Sequence, residues 1–260
     1  MADYWGVGKA NQPMLPLIAI PTTAGTGSEV GRVSVITNRD EQRKVLIFHP
    51  DMPANLVMLD PVCIAGLPPS ITAATGMDAL SHCLEAWCAP GFHPMADGIA
   101  LSGMKLIKQS LATSVFDGGN LVARTHMLTA SIMGATAFQK GLGAMHALAH
   151  PLGARYGLHH GLLNAVLMPY VVEKNAPAIQ DRLTELARTL ALGDRPANVL
   201  DWILELRDQL SIPTHLQAPA GDSIDSLWVS EQAVRDPSAA TNPIPFTAQD
   251  YESLLQTALG

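Results

Sequence analysis

Apolar and polar positions along the chain change their period near residue 68. Before that point, short aliphatic or β-branched runs at 17–20, 33–36, 45–47 and 56–59 are separated by turn residues, the pattern of strands. Beyond Pro68-Pro69 the spacing becomes helical and predicts helices over 71–88, 94–113, 121–139, 142–155, 160–174, 177–191, 196–210, 222–234 and 247–259. Pro90, Gly118-Gly119, Pro151, Gly193, Pro196, Pro213 and Asn242-Pro243 fall between or just inside these segments, where helices stop or start. The expected fold is mostly α: an α/β remnant over 1–68, too short in strands for a complete nucleotide-binding domain, and an all-helical domain over 69–260.

The helical part carries the candidate chemistry. Asp78 precedes His82 by four residues, and His146 precedes His150 by four, so each pair projects from one helix face. An aspartate facing the apolar side of a helix needs a partner, because an isolated buried carboxylate loses several kcal/mol of hydration. Asp78, His82, His146 and His160 together offer one oxygen and three nitrogens, a set suited to Fe2+ or Zn2+ rather than Mg2+ or Ca2+. His159 and His160 diverge by about 100° on a helix, so only one can share the metal, and spacing does not choose between them. Glu85 lies about 60° past His82 by the same geometry and reads as structural. His49, His93, His126 and His215 stand singly and receive no role.

In the first part, Pro21-Thr22-Thr23-Ala24-Gly25-Thr26-Gly27-Ser28-Glu29 follows a strand. Its glycines let backbone amides approach an anion, and its hydroxyls can equally cap a following helix. No G-x-G-x-x-G follows any strand.

Composition narrows the classes. Charged residues are 15% of the chain against 48% hydrophobic, so much helical surface must be buried internally or between subunits, and a homo-oligomer is expected. A net charge of −7 with no basic patch excludes the footprint of a nucleic-acid binder. The longest uncharged apolar runs fall short of the roughly 20 residues that span a bilayer, so no membrane partner is expected. Met1 to Trp5 shows no secretory signal, and Cys63, Cys83 and Cys88 lack CxxC spacing; reduced, buried thiols in a cytoplasmic protein are expected. There is no H-E-x-x-H motif, which counts against a metallohydrolase.

These motifs, with Asp3-Tyr4-Trp5-Gly6, Asp60-Pro61, Ala73 to His82, His146 to His160 and Thr241-Asn242-Pro243, resemble the iron-containing (group III) alcohol dehydrogenases over nearly the whole chain. The resemblance implies a dehydroquinate synthase-like architecture, with Asp78, His82, His146 and His160 as metal ligands and His150 as a catalytic or supporting histidine beside the metal. It further implies that Thr22, Thr23, Gly25 and Thr26 meet the pyrophosphate and nicotinamide ribose of NAD or NADP, while Val35, Lys44 and Leu67 line the cofactor cleft. The substrate implied is a small alcohol or aldehyde, activated by the metal as a Lewis acid, with His150 relaying a proton. The family's Gly-Gly-Gly-Ser phosphate loop has no counterpart here. A truncated helical metal-binding protein without redox activity is therefore the alternative expectation, and the apolar surface left bare would favour a partner.

Overall fold

The computed structural model describes residues 2–41, 43–220 and 223–260. Strand β1 (Gly6–Val7) pairs in parallel with β4 (Arg43–Phe48), which pairs antiparallel with β3 (Val33–Asn38), while β2 (Ile18–Ala19) pairs in parallel with β5 (Leu56–Val57). The register of the β3–β4 pair sets Thr37 opposite Lys44 and Ile36 opposite Val45, the latter buried. Leu15, Ile18, Ile20, Leu56 and Met58, on or beside the β2–β5 pair, are exposed.

A short helix, α1 (Val62–Ala65), leads into α2 (Pro69–Cys88), which starts on a proline whose missing N–H is free at that position. Every residue of α2 from Thr72 to Trp87 is buried, the signature of a helix surrounded on all sides. Around it pack α3 (Pro94–Phe116), α4 (Leu121–Ala137) and α6 (His160–Thr189). Helix α5 (Ala144–Tyr156) lies against α6 and β4, and α7 (Ala197–Gln209), α8 (Ser226–Arg235) and α9 (Ala248–Leu259) complete the helical part. No helix among the described residues is long and apolar enough to cross a membrane.

The predicted elements are found, with two differences among the helices and one at a cysteine, while β1 and α1 were not predicted. The helices expected at 160–174 and 177–191 form one element, interrupted not before Pro177 but at Ile179 (φ −124°, ψ 21°). A proline disrupts the ladder through its missing N–H and its ring, while neighbouring packing holds the helical direction. The helix expected from 222 begins at Ser226, capped by Asp225, which accepts from Trp228 N–H; residue 222 lies outside the described residues. Cys83 and Cys88 are withdrawn from solvent as expected, but Cys63 is exposed, because it sits on the outward side of the single-turn helix α1, whose Ile64 takes the inward position.

Candidate metal centre

Three helices converge on the Asp78 carboxylate. Asp78 and His82 point from the middle of α2, His146 from the first turn of α5, and His160 from the start of α6. Gly161 makes the last approach possible: a Cβ there would lie 2.4 Å from the carbonyl oxygen of Ala74, so only glycine lets α6 begin against the backbone of α2. Ligand atoms from Asp78, His82, His146 and His160 all lie within 4.8 Å of one another. His160 Nε2 is 3.6 Å from Asp78 Oδ1, and the His82 and His146 rings stack with centroids 4.8 Å apart. His159 turns away and accepts from Leu162 N–H at the helix start.

Electrostatics favour a charged Asp78 carboxylate beside neutral His146 and His160 rings. Burial alone would raise Asp78, but the neighbouring imidazoles and the Asn164 amide hold it below the usual range. Burial and the other imidazoles push His146 well below its ordinary value and His160 down to about 4, against the pull of Asp78. Neutral imidazole and ionised carboxylate are the forms that ligate a cation. Buried polar atoms without partners are rare, and two cluster here, His82 Nδ1 and Asn164 Oδ1. With one oxygen and three nitrogens as donors, the site fits a divalent transition metal.

Two residues beside the cluster were given no part in it by spacing. Asn164, fully buried one turn beyond His160, donates from Nδ2 to Asp78 Oδ1 at 2.8 Å and lies 3.2 and 3.3 Å from Nε2 of His146 and His160. Glu85, read above as structural, faces His146 Nδ1 at 2.6 Å through Oε2 and accepts the Met145 N–H at 2.8 Å through Oε1. Burial raises its carboxyl to about 7, opposed by the backbone N–H groups of Met145 and Gly143. The signal for Glu85 was present: seven residues from Asp78 amount to two turns less only about 20°, so it shares the face of Asp78 although it is displaced from His82.

His150 stands one turn beyond His146 with its ring stacked on His160, centroids 5.5 Å apart. Its Nδ1 lies 2.8 Å from Asp236 Oδ2, and Asp236 also accepts Ser238 N–H, capping the turn Pro237–Thr241. Burial would raise Asp236, but hydrogen bonding and charge from His150 hold it below the usual range. His150 and Asp236 open onto a cleft of about 670 Å³, whose walls include Lys44, Trp5, Phe48 and Arg235.

Of the residues expected to meet a dinucleotide, Lys44 is on this cleft, its Nζ 2.7 Å from Thr37 Oγ1 and its basicity lowered by burial. Val35 is exposed on β3, and Leu67 packs at the rim of the core. Thr22 and Thr26 are exposed and Thr23 half-buried. Gly25 and Gly27 serve packing: a Cβ on Gly25 would lie 2.8 Å from Thr75 O, and one on Gly27 (φ 59°) 2.4 Å from Ala135 Cβ. The loop is thereby pressed onto α2 and α4.

Residues 72–259 match the C-terminal domain of the Fe-containing alcohol dehydrogenase family and residues 1–61 match iron-containing alcohol dehydrogenase. The chain is 38% identical over 262 residues to alcohol dehydrogenase 4 of Saccharomyces cerevisiae (strain ATCC 204508 / S288c), covering 99% of this chain and 69% of that protein. Among solved structures it is similar to a 1,3-propanediol oxidoreductase (TM-score 0.93, 33% identity, 98% of this chain and 69% of that one). It is also similar to sulfoacetaldehyde reductase from Bifidobacterium kashiwanohense in complex with NAD+ (TM-score 0.88, 32% identity, 99% and 68%).

Proposed function

This chain belongs to the iron-containing alcohol dehydrogenase family, and on that premise we propose that it interconverts a small alcohol and its aldehyde with NAD(P), using a divalent metal held by Asp78, His82, His146 and His160. The observation that carries the reading is the convergence of those four side chains beside the His150–Asp236 pair. When bound, Fe2+ supplies Lewis acidity toward the substrate oxygen, and the nicotinamide supplies or takes the hydride.

The residues divide the remaining work. Asp78 brings the one negative charge of the quartet, and its buried setting on α2 keeps that charge close to the cation. His160, the most solvent-exposed of the four, marks the side from which substrate enters. His150, held through Nδ1 by Asp236, presents Nε2 for exchanging a proton with the substrate hydroxyl, and the cleft connects it to solvent. We assign cofactor contacts to Lys44, Val35, Leu67 and the loop residues Thr22, Thr23, Gly25 and Thr26. Thr22 and Thr26 carry exposed side chains, while Gly25 sets the loop against α2.

The division into a nucleotide-binding part over 1–68 and a metal-binding helical part over 69–260 belongs to the same proposal. So do a homo-oligomeric state, supported by the low charge content, and a cytoplasmic location.

The test is elemental analysis of the purified protein together with an NAD(P)H-linked assay over short-chain alcohols and aldehydes. About one equivalent of metal and metal-dependent turnover are expected. Bound metal without turnover, and without any NADH or NADPH binding at millimolar cofactor, would overturn the redox reading and leave a metal-binding helical protein.

A further inference from the structure

Glu85 is 5% exposed and has three hydrogen-bonding neighbours from the start of α5. Oε1 accepts Met145 N–H at 2.8 Å, Gly143 N–H also favours the charged carboxylate, and Oε2 lies 2.6 Å from His146 Nδ1. The approach is tight enough that a Cβ on Gly143 would fall 2.9 Å from Oε1. Backbone N–H groups can only donate, so they engage Glu85 as an acceptor; in the ionised form they favour, Oε2 accepts as well and the remaining neighbour donates. His146 Nδ1 therefore carries a hydrogen. A neutral imidazole has one N–H, which leaves Nε2 with a free lone pair. That nitrogen faces the cluster, where Asn164 Nδ2 approaches it at 3.2 Å as a donor to a lone pair would.

We infer that Glu85 is a positioning residue of the metal site: it accepts the His146 Nδ1–H while capping the first turn of α5, and so fixes the tautomer in which His146 Nε2 can ligate a cation. This rests on the metal reading of the preceding subsection. A carboxylate behind a ligating histidine both orients the ring and raises its basicity. One side chain here does a second thing, anchoring the helix end that carries His146.

Glu85→Gln tests this with almost no change of shape. The oxygen of the introduced amide must face the two backbone N–H groups, whose polarity cannot change. Its NH2 then meets His146 Nδ1, and the imidazole answers by moving its hydrogen to Nε2, toward the cluster. Zn2+ affinity is measured by competition with a chromophoric chelator for the full wild-type chain, Glu85→Gln and the ligand variant Asp78→Ala. The ring 15N shifts of His146 are recorded in the metal-free wild type. We expect Zn2+ binding about 10–100-fold weaker in Glu85→Gln and the Nδ1–H tautomer in the wild type. Wild-type affinity in Glu85→Gln, or an Nε2–H tautomer in the wild type, overturns the inference while leaving the metal reading intact. A wild type that takes up no Zn2+ overturns both. The wild-type tautomer measurement decides the matter even if Glu85→Gln does not fold.

Discussion

Asp236 Oδ2 lies 2.8 Å from His150 Nδ1, although 86 residues separate them in the chain. One is fixed by helix α5 and the other by the cap of a 3-10 turn, so the pair is rigid on both sides. The carboxylate favours a hydrogen on Nδ1, which under the proposed function leaves Nε2 free to meet substrate.

His150→Ala is therefore expected to keep its metal and lose about 10²-fold or more in kcat, within the range for general acid–base groups. Asp236→Asn should lower kcat by less, with KM nearly unchanged. Steady-state kinetics with parallel metal analysis checks both. A His150→Ala enzyme with bound metal and full rate at every pH would remove the histidine from the reaction.

Removing one proposed ligand separates metal binding from folding. Asp78→Ala takes away the single negative charge of the quartet and should weaken metal binding at least tenfold. In the wild type, metal at about 100 times its dissociation constant adds about 2.7 kcal/mol of stability by mass action. Chemical denaturation with and without metal should show that increment in the wild type and its disappearance in the variant. Equal increments in both would exclude Asp78 as a ligand.

Gly27 stands at φ 59°, and its missing Cβ leaves room for Ala135 and for the Ser131 carbonyl. Gly27→Ala should destabilise the protein by about 2 kcal/mol or more, through strain and overpacking together. Denaturant melts measure it; a change under about 0.5 kcal/mol, the range of an ordinary surface substitution, would mean that the loop is not pressed onto α4.

At the last helix, Asp250 and Thr247 form a capping box, and Lys174 lies 3.0 Å from Asp250. The Thr247 hydroxyl and backbone N–H, with Lys174, hold Asp250 down to about 2. Its folded value is below the unfolded one of about 3.9, so its contribution is complete above about pH 4 and is lost as pH falls toward 2. Asp250→Asn should cost about 0.5 kcal/mol at neutral pH and remove part of the acid slope over that same interval. Parallel slopes for wild type and variant in acid unfolding would contradict this.

Helix placement was legible because it depends on neighbours in the chain. Apolar period and the prolines and glycines between segments act over a few residues, and the ends of α3, α5 and α9 fall within three residues of their expected positions. The same local geometry put Asp78 with His82 on one face and His146 with His150 on another. It kept Glu85 out of the ligand set, but not its place behind His146, which depends on how α5 meets α2.

Distances between faces are not local. The choice of His160 over His159 follows from Gly161 meeting the Ala74 carbonyl, and the roles of Asn164 and Asp236 from which helices touch. The packing role of Gly25 and Gly27 was invisible for the same reason, since the clash that excludes a side chain comes from α2 and α4. Sequence alone determined which side chains share a helix face, because about 100° per residue is a property of the backbone. Tertiary structure decided which faces meet, because the approach of α2, α5 and α6 depends on side-chain volumes contributed by residues far apart in the chain.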